Sequence, residues 1–152
     1  MLNINRKDVQ VLTYLRKNSR QTLKKISHKT SMPISTIFDK LKKLENSVIT
    51  NHTSLLDFSK LGYNSRANVL VKVKPESKHD LCAFLTNNPN INNLCKINNG
   101  FDFLFETIFV DMNKLDEFLE FLDNKFPVEN RQVYYVIKEL NRESFLKDAE
   151  LL

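Results

Sequence analysis

Thr30-Ser31-Met32-Pro33-Ile34-Ser35-Thr36-Ile37-Phe38-Asp39-Lys40-Leu41-Lys42-Lys43-Leu44-Glu45 is the stretch on which the reading of this chain turns. Pro33 cannot continue a helix and pushes Met32 toward an extended conformation. One helix therefore ends near Thr30 and another begins at Ile34 or Ser35. Ile37, Leu41 and Leu44 recur at i, i+4 and i+7, which defines a buried face flanked by Phe38. The opposite face carries Ser35, Thr36, Asp39, Lys40 and Lys43.

Two more helices precede it. Thr22 is suited to cap a short helix that buries Leu23 and Ile26. Asn5 is suited to cap another, with Asp8 in the first turn where a negative charge suits the helix dipole. Val9, Leu12 and Leu15 form its apolar stripe, widened by Val11, and it ends near Asn18-Ser19. A short helix, a tight turn and a helix with a polar, cationic face make a helix-turn-helix pattern. In that motif the second helix enters the DNA major groove by its N-terminal residues. Ser35 and Thr36 stand there and can donate to phosphates or base edges, with Asp39 tuning base preference. Lys40 and Lys43 suit backbone contacts, and Lys24, Lys25 and Lys29 on the preceding helix suit phosphates. The same spacing fits a three-helix bundle with a solvated lysine face.

Charge separates the two ends of the chain. Up to Leu55 there are 11 Lys and Arg against 3 Asp and Glu, a net of +8; the remainder has 12 against 15, a net of −3. A basic head on a mildly acidic body points to a polyanion partner for the head and another task for the body. The 152 residues allow one medium domain or two small ones. No apolar run approaches the roughly 18 residues of a membrane span, and the first residues lack the apolar core of a signal peptide. A cytoplasmic location is expected. Two cysteines, Cys82 and Cys95, make no disulfide framework. His28, His52 and His79 are scattered, and no second pair joins His79 and Cys82 to complete a metal site. Asp116, Glu117, Glu120 and Asp123 read as a solvated helix face. There is no phosphate-binding glycine loop. Nothing in the sequence points to an enzyme, a cofactor or a metal.

Beyond Leu44, the β-forming run Val48 to Leu56 reads as a strand that serves as a wing, a linker or both. Arg66 to Lys74 alternates as a strand closed by Pro75. A helix follows to about Thr86, then a strand from Ile91 to Ile97. Asn98-Asn99-Gly100 signals a hairpin into an apolar strand from Asp102 to Val110. Leu115, Phe118, Leu119, Leu122 and Phe126 mark another helix, and Arg131 to Glu139 a last strand. The order is βαββαβ, a ferredoxin-like arrangement with two helices on one face of a four-stranded sheet. The apolar side chains expected on the other face argue for self-association. Such a domain alone also suits a small-molecule sensor or interaction module with little DNA affinity. Phe103 and Phe105 read as core, against an RNA-binding face. The expected class is α+β: a winged helix-turn-helix over 1–49, a strand linker over 50–64, a βαββαβ domain over 65–140, and a tail over 141–152 that forms a short helix and docks.

This layout resembles the Lrp/AsnC, or feast/famine, family of transcriptional regulators. Ile4 to Val9 looks like the opening of that family's first helix, Met32 to Ile37 like its turn into the recognition helix, and Leu41 to Glu45 like that helix's end. Asp57 to Asn64 is similar to its interdomain junction, and Asn99 to Asp102 to its glycine–aspartate hairpin. The resemblance implies a transcriptional regulator that binds promoter double-stranded DNA as a homodimer, in many members assembled into octamers. It also implies an amino-acid-like effector bound near Gly100 and Asp102 and the start of the last strand, Arg131 and Val133. Asp102 has two readings, an ammonium ligand or a hairpin cap. Two features depart from the family: Leu44-Glu45-Asn46-Ser47-Val48-Ile49 lacks a glycine, and Arg131-Gln132-Val133 stands where hydroxyl residues are usual.

Overall fold

The computed structural model describes residues 4–147, which fall into two compact units. One contains the described residues up to Leu55 together with those from Leu140; the other is Leu56–Glu139.

The first unit is built on α1 (Arg6–Lys17), α2 (Leu23–Thr30) and α3 (Ile34–Glu45). Asn5 caps α1 in a reciprocal box: its side-chain oxygen accepts from the Asp8 N–H, and the Asp8 carboxylate accepts from the Asn5 N–H, each at 3.0 Å. Thr22 caps α2 through the Lys25 N–H. That helix stops at Ser31, whose φ of 54° lies in the left-handed region. The turn is then pinned by the Ser27 hydroxyl, which donates to the Met32 carbonyl at 2.6 Å. Met32 inserts into a core of Val11, Leu12, Ile26, Ile37 and Leu44. The stripe on α1 is thus Val11 and Leu12, with Leu15 at its edge and Val9 only half-buried.

Two expectations fail in this unit. Residues 48–56, expected as a strand, form none. A strand is held by hydrogen bonds to a neighbour, and among the described residues none runs alongside. The β-rich composition therefore yields a linker without regular secondary structure. The tail is not helical up to Lys147. It makes two tight turns, with Glu143 and Leu146 both at positive φ. Arg16 of α1 holds it, donating to the carbonyls of Glu143 and Phe145 and to the Glu143 carboxylate. The terminal leucines expected to dock lie outside the described residues.

The second unit contains β1 (Ser65–Val73), α4 (Lys78–Thr86), β2 (Ile91–Lys96), β3 (Phe103–Phe109), α5 (Met112–Lys125) and β4 (Val128–Tyr135). The sheet order is β2-β3-β1-β4 with antiparallel neighbours throughout, the ferredoxin-like arrangement. Alternation decides the faces. Ala67, Val69, Val71 and Val73 point to the helices and pack with Phe103, Phe105, Leu81, Leu85, Leu115 and Leu122. β4 begins and ends earlier than its composition suggests. Its last sheet contact is the Val136 N–H to the Arg66 carbonyl. There β1 runs out, and Ile137 is 98% exposed.

The helix-free face is more polar than the apolar pattern implied. Arg66, Asn68, Leu70 and Lys72 alternate along β1, beside Leu104 and Glu106 on β3 and Gln132 and Tyr134 on β4. Glu106 is buried there and pairs with Arg66. A bulge in β2 sets Asn92 and Asn93 together opposite Glu106, and both side-chain amides donate to its carboxylate.

Candidate nucleic-acid interface

Helix α3 presents its outer surface between two lines of side chains. Ile34, Phe38 and Lys42 follow one another at four-residue spacing, and Ser35 and Asp39 run beside them. All five are exposed, whereas Ile37 and Leu44 are completely buried on the opposite side. Thr36 is half-buried at the flank and Lys43 is exposed. Lys24, Lys25 and Lys29 are exposed on α2, the first two in its opening turn and Lys29 next to the turn that launches α3. The surface thus combines hydroxyls and free N–H groups at a helix start with flanking cations, a set suited to phosphate oxygens and base edges.

Lys40 does not join that surface. Its ammonium turns inward to Asp8, 2.6 Å away, and comes within 3.5 Å of the Asn5 side-chain oxygen. Asp8 has no exposed surface, and Lys43 reaches its second oxygen at 3.8 Å. Burial alone would raise the Asp8 carboxyl. Hydrogen bonds from Lys40 and from the Asn5 backbone, with the charges of Lys40 and Lys43, outweigh burial and hold the carboxyl below the ordinary range. The expected phosphate contact at Lys40 is therefore corrected to a strut between α1 and α3. Sequence reasoning missed Lys42, although a wheel centred on Ile37 and Leu44 points it outward. It also placed Phe38 at the core's edge, whereas Phe38 is 55% exposed.

The four residues expected around an effector share one end of the sheet but not one cluster. Asn99 and Gly100 both have positive φ, as a tight hairpin demands, and the Ile97 N–H closes the loop on the Asp102 carbonyl. One Asp102 oxygen accepts from the Val73 N–H at 3.1 Å; the other meets the Lys78 ammonium at 2.5 Å. Burial would raise this carboxyl, but Lys78, the Val73 N–H and the charge of Lys72 lower it below its ordinary value. Asp102 thus ties the hairpin to Val73 and Lys78. Arg131 lies across β1 from Phe103, two strand spacings or about 10 Å away. Its guanidinium makes a charge contact with Asp123 at 3.0 Å without an aligned hydrogen bond. Val133 packs against the core.

Among the described residues no helix is long and apolar enough to cross a membrane. Residues 66–145 match the family described as the Lrp/AsnC ligand binding domain, and residues 4–47 match winged helix-turn-helix DNA-binding. Over 132 residues the chain is 27% identical to the HTH-type transcriptional regulator FL11 of Pyrococcus horikoshii, covering 86% of this chain and 87% of that protein. It is 26% identical to the DNA-binding transcriptional activator DecR of Escherichia coli, covering 79% and 82%. Among solved structures, a transcriptional regulator of Neisseria meningitidis in complex with L-Met superposes with a TM-score of 0.87 at 22% identity, covering 93% of this chain and 95% of that one. AsnC of E. coli superposes with a TM-score of 0.85 at 14% identity, covering 95% and 99%.

Proposed function

Since this chain belongs to the Lrp/AsnC family, and so is a DNA-binding transcriptional regulator with a ligand-binding domain rather than an enzyme, we propose that it grips duplex DNA with α2 and α3 and does so as a homodimer or a higher assembly, octamers included. The observation that carries this reading is the exposed α2–α3 surface. In it, Ser35 and Thr36 open α3, Lys42 and Lys43 follow, and Lys24, Lys25 and Lys29 flank them. The lysines serve phosphates and give affinity. Ser35 and Asp39 serve base edges, Asp39 as an acceptor for the cytosine amino group. Residues 1–49 act as the head, 50–64 as a linker, 65–140 as the pairing and effector domain, and 141–152 as a tail. A cytoplasmic location follows from the DNA partner.

Pairing through the helix-free sheet face is supported by Leu70 and Leu104, which lie opposite each other at its centre and keep part of their surface in water. An amino-acid-like effector is supported by the family and by the L-Met carried by the Neisseria relative. We place it at the Gly100–Asp102 hairpin and the start of β4, where Arg131 supplies a cation and Asp102 and Val133 act as scaffold. A gel-shift titration on a site selected from random duplexes tests the DNA reading. Binding should weaken with salt at a slope of ~0.9 per phosphate contact, and Lys25→Glu with Lys42→Glu should abolish it. Persistence of binding in that double variant overturns this interface. A thermal shift with amino acids but no enriched duplex favours a sensor without DNA affinity.

A further inference from the structure

We infer that α3 reads thymine by its C5-methyl group, through Phe38 and Ile34. The inference rests on the reading above, in which α3 lies in the major groove. Phe38 is 55% exposed and Ile34 49% exposed, although the head has a complete core with Ile26, Ile37 and Leu44 fully buried. Both stand on the outward line of α3 that ends in Lys42, one helical turn apart. Charge complementarity names the occupant. Lys24, Lys25 and Lys29 are exposed on α2 and Lys42 on α3, the helix that carries the apolar pair, so a polyanion is the partner that the charge favours. On the floor of the major groove the only apolar group is the thymine methyl; the other edge groups are hydrogen-bond donors and acceptors. A phenyl ring and a branched alkyl group offer no hydrogen bonds to those, and gain only by excluding water from a methyl. Four residues of helix span about 6 Å, and base pairs are stacked about 3.4 Å apart. With the helix axis along the groove, the two side chains meet methyls about two base-pair steps apart.

Deoxyuridine tests this, because it pairs as thymidine does but lacks the methyl. A duplex is selected with the full chain, and each thymidine in it is replaced singly by deoxyuridine. Two positions, about two steps apart, should each weaken binding about fourfold, the value of one buried carbon group. In Phe38→Ala the loss at one of these should vanish, and in Ile34→Ala the loss at the other. Both side chains are half in water, so the variants should melt with the wild type. The scan on the unaltered protein decides the matter even if they do not. If no thymidine is sensitive, or sensitivity survives both substitutions, the inference is overturned while the DNA-binding reading stands. If no duplex is selected, the groove reading fails first and the inference with it.

Discussion

Asp8 is a charge with no water around it, and its partners lie on another helix. Lys40 neutralises it from α3 at 2.6 Å, while the Asn5 N–H satisfies its other oxygen. Removing one member of a buried pair is costlier than the pair is worth, because the survivor keeps its desolvation penalty. Lys40→Met should therefore destabilise the head by about 3 kcal/mol in urea unfolding, and Asp8→Asn in the same chain should restore part of it. The salt slope of DNA binding should not change in either variant, because the Lys40 ammonium is engaged by Asp8. The pair also sets an acid limit. A carboxyl held low in the folded state contributes stability that is complete above its ordinary value of about 3.9 and is lost as pH falls through the lowered one. Wild-type stability should drop in that acid range, and the drop should shrink in Asp8→Asn. Chain spacing gave half of this arrangement: Asn5 and Asp8 three apart spell a capping box. The other half is tertiary. Lys40 follows Ile37 by three positions and lies near the core stripe, but only the approach of α1 decides that it turns inward.

At the scale of elements, periodic segments were legible and segments needing a distant partner were not. Each helix boundary lies close to where Asn5, Thr22 and Pro33 place it, because caps and prolines act locally. Strand order followed from βαββαβ and the hairpin at Asn99-Gly100. Val, Ile and Thr favour a strand in the linker, yet β composition cannot supply the neighbour that completes it. β4 stops at Tyr135 for the related reason that β1 stops at Ser65. The hairpin's aspartate belongs to this scale too. Asp102 ties the loop after β2 to the last residue of β1 and to Lys78 at the start of α4. Asp102→Ala should cost about 1.5 kcal/mol in unfolding experiments without any ligand. An aspartate that served only to hold an effector's ammonium would leave unliganded stability unchanged.

For the whole molecule, one head reaches few phosphates, and the pairing proposed above predicts an affinity that depends on it. Leu70→Glu with Leu104→Glu would set like charges beside the buried Glu106 on the helix-free face. Light scattering should then report a monomer, with site affinity at least tenfold weaker and near-ultraviolet dichroism of the monomer retained. A dimer of unchanged mass would place the pairing surface elsewhere.

The β2 bulge has a consequence for growth. β2 and β4 are the two edges of the sheet. At Asn92 the bulged edge departs from regular register, which hinders the addition of another strand there, while β4 is regular from Asn130 to Tyr135. An added strand is therefore better accommodated along β4 than at the Asn92 end of β2. The bulge at which two asparagines share the Glu106 carboxylate thus doubles as a guard against strand-on-strand growth at that end of the sheet.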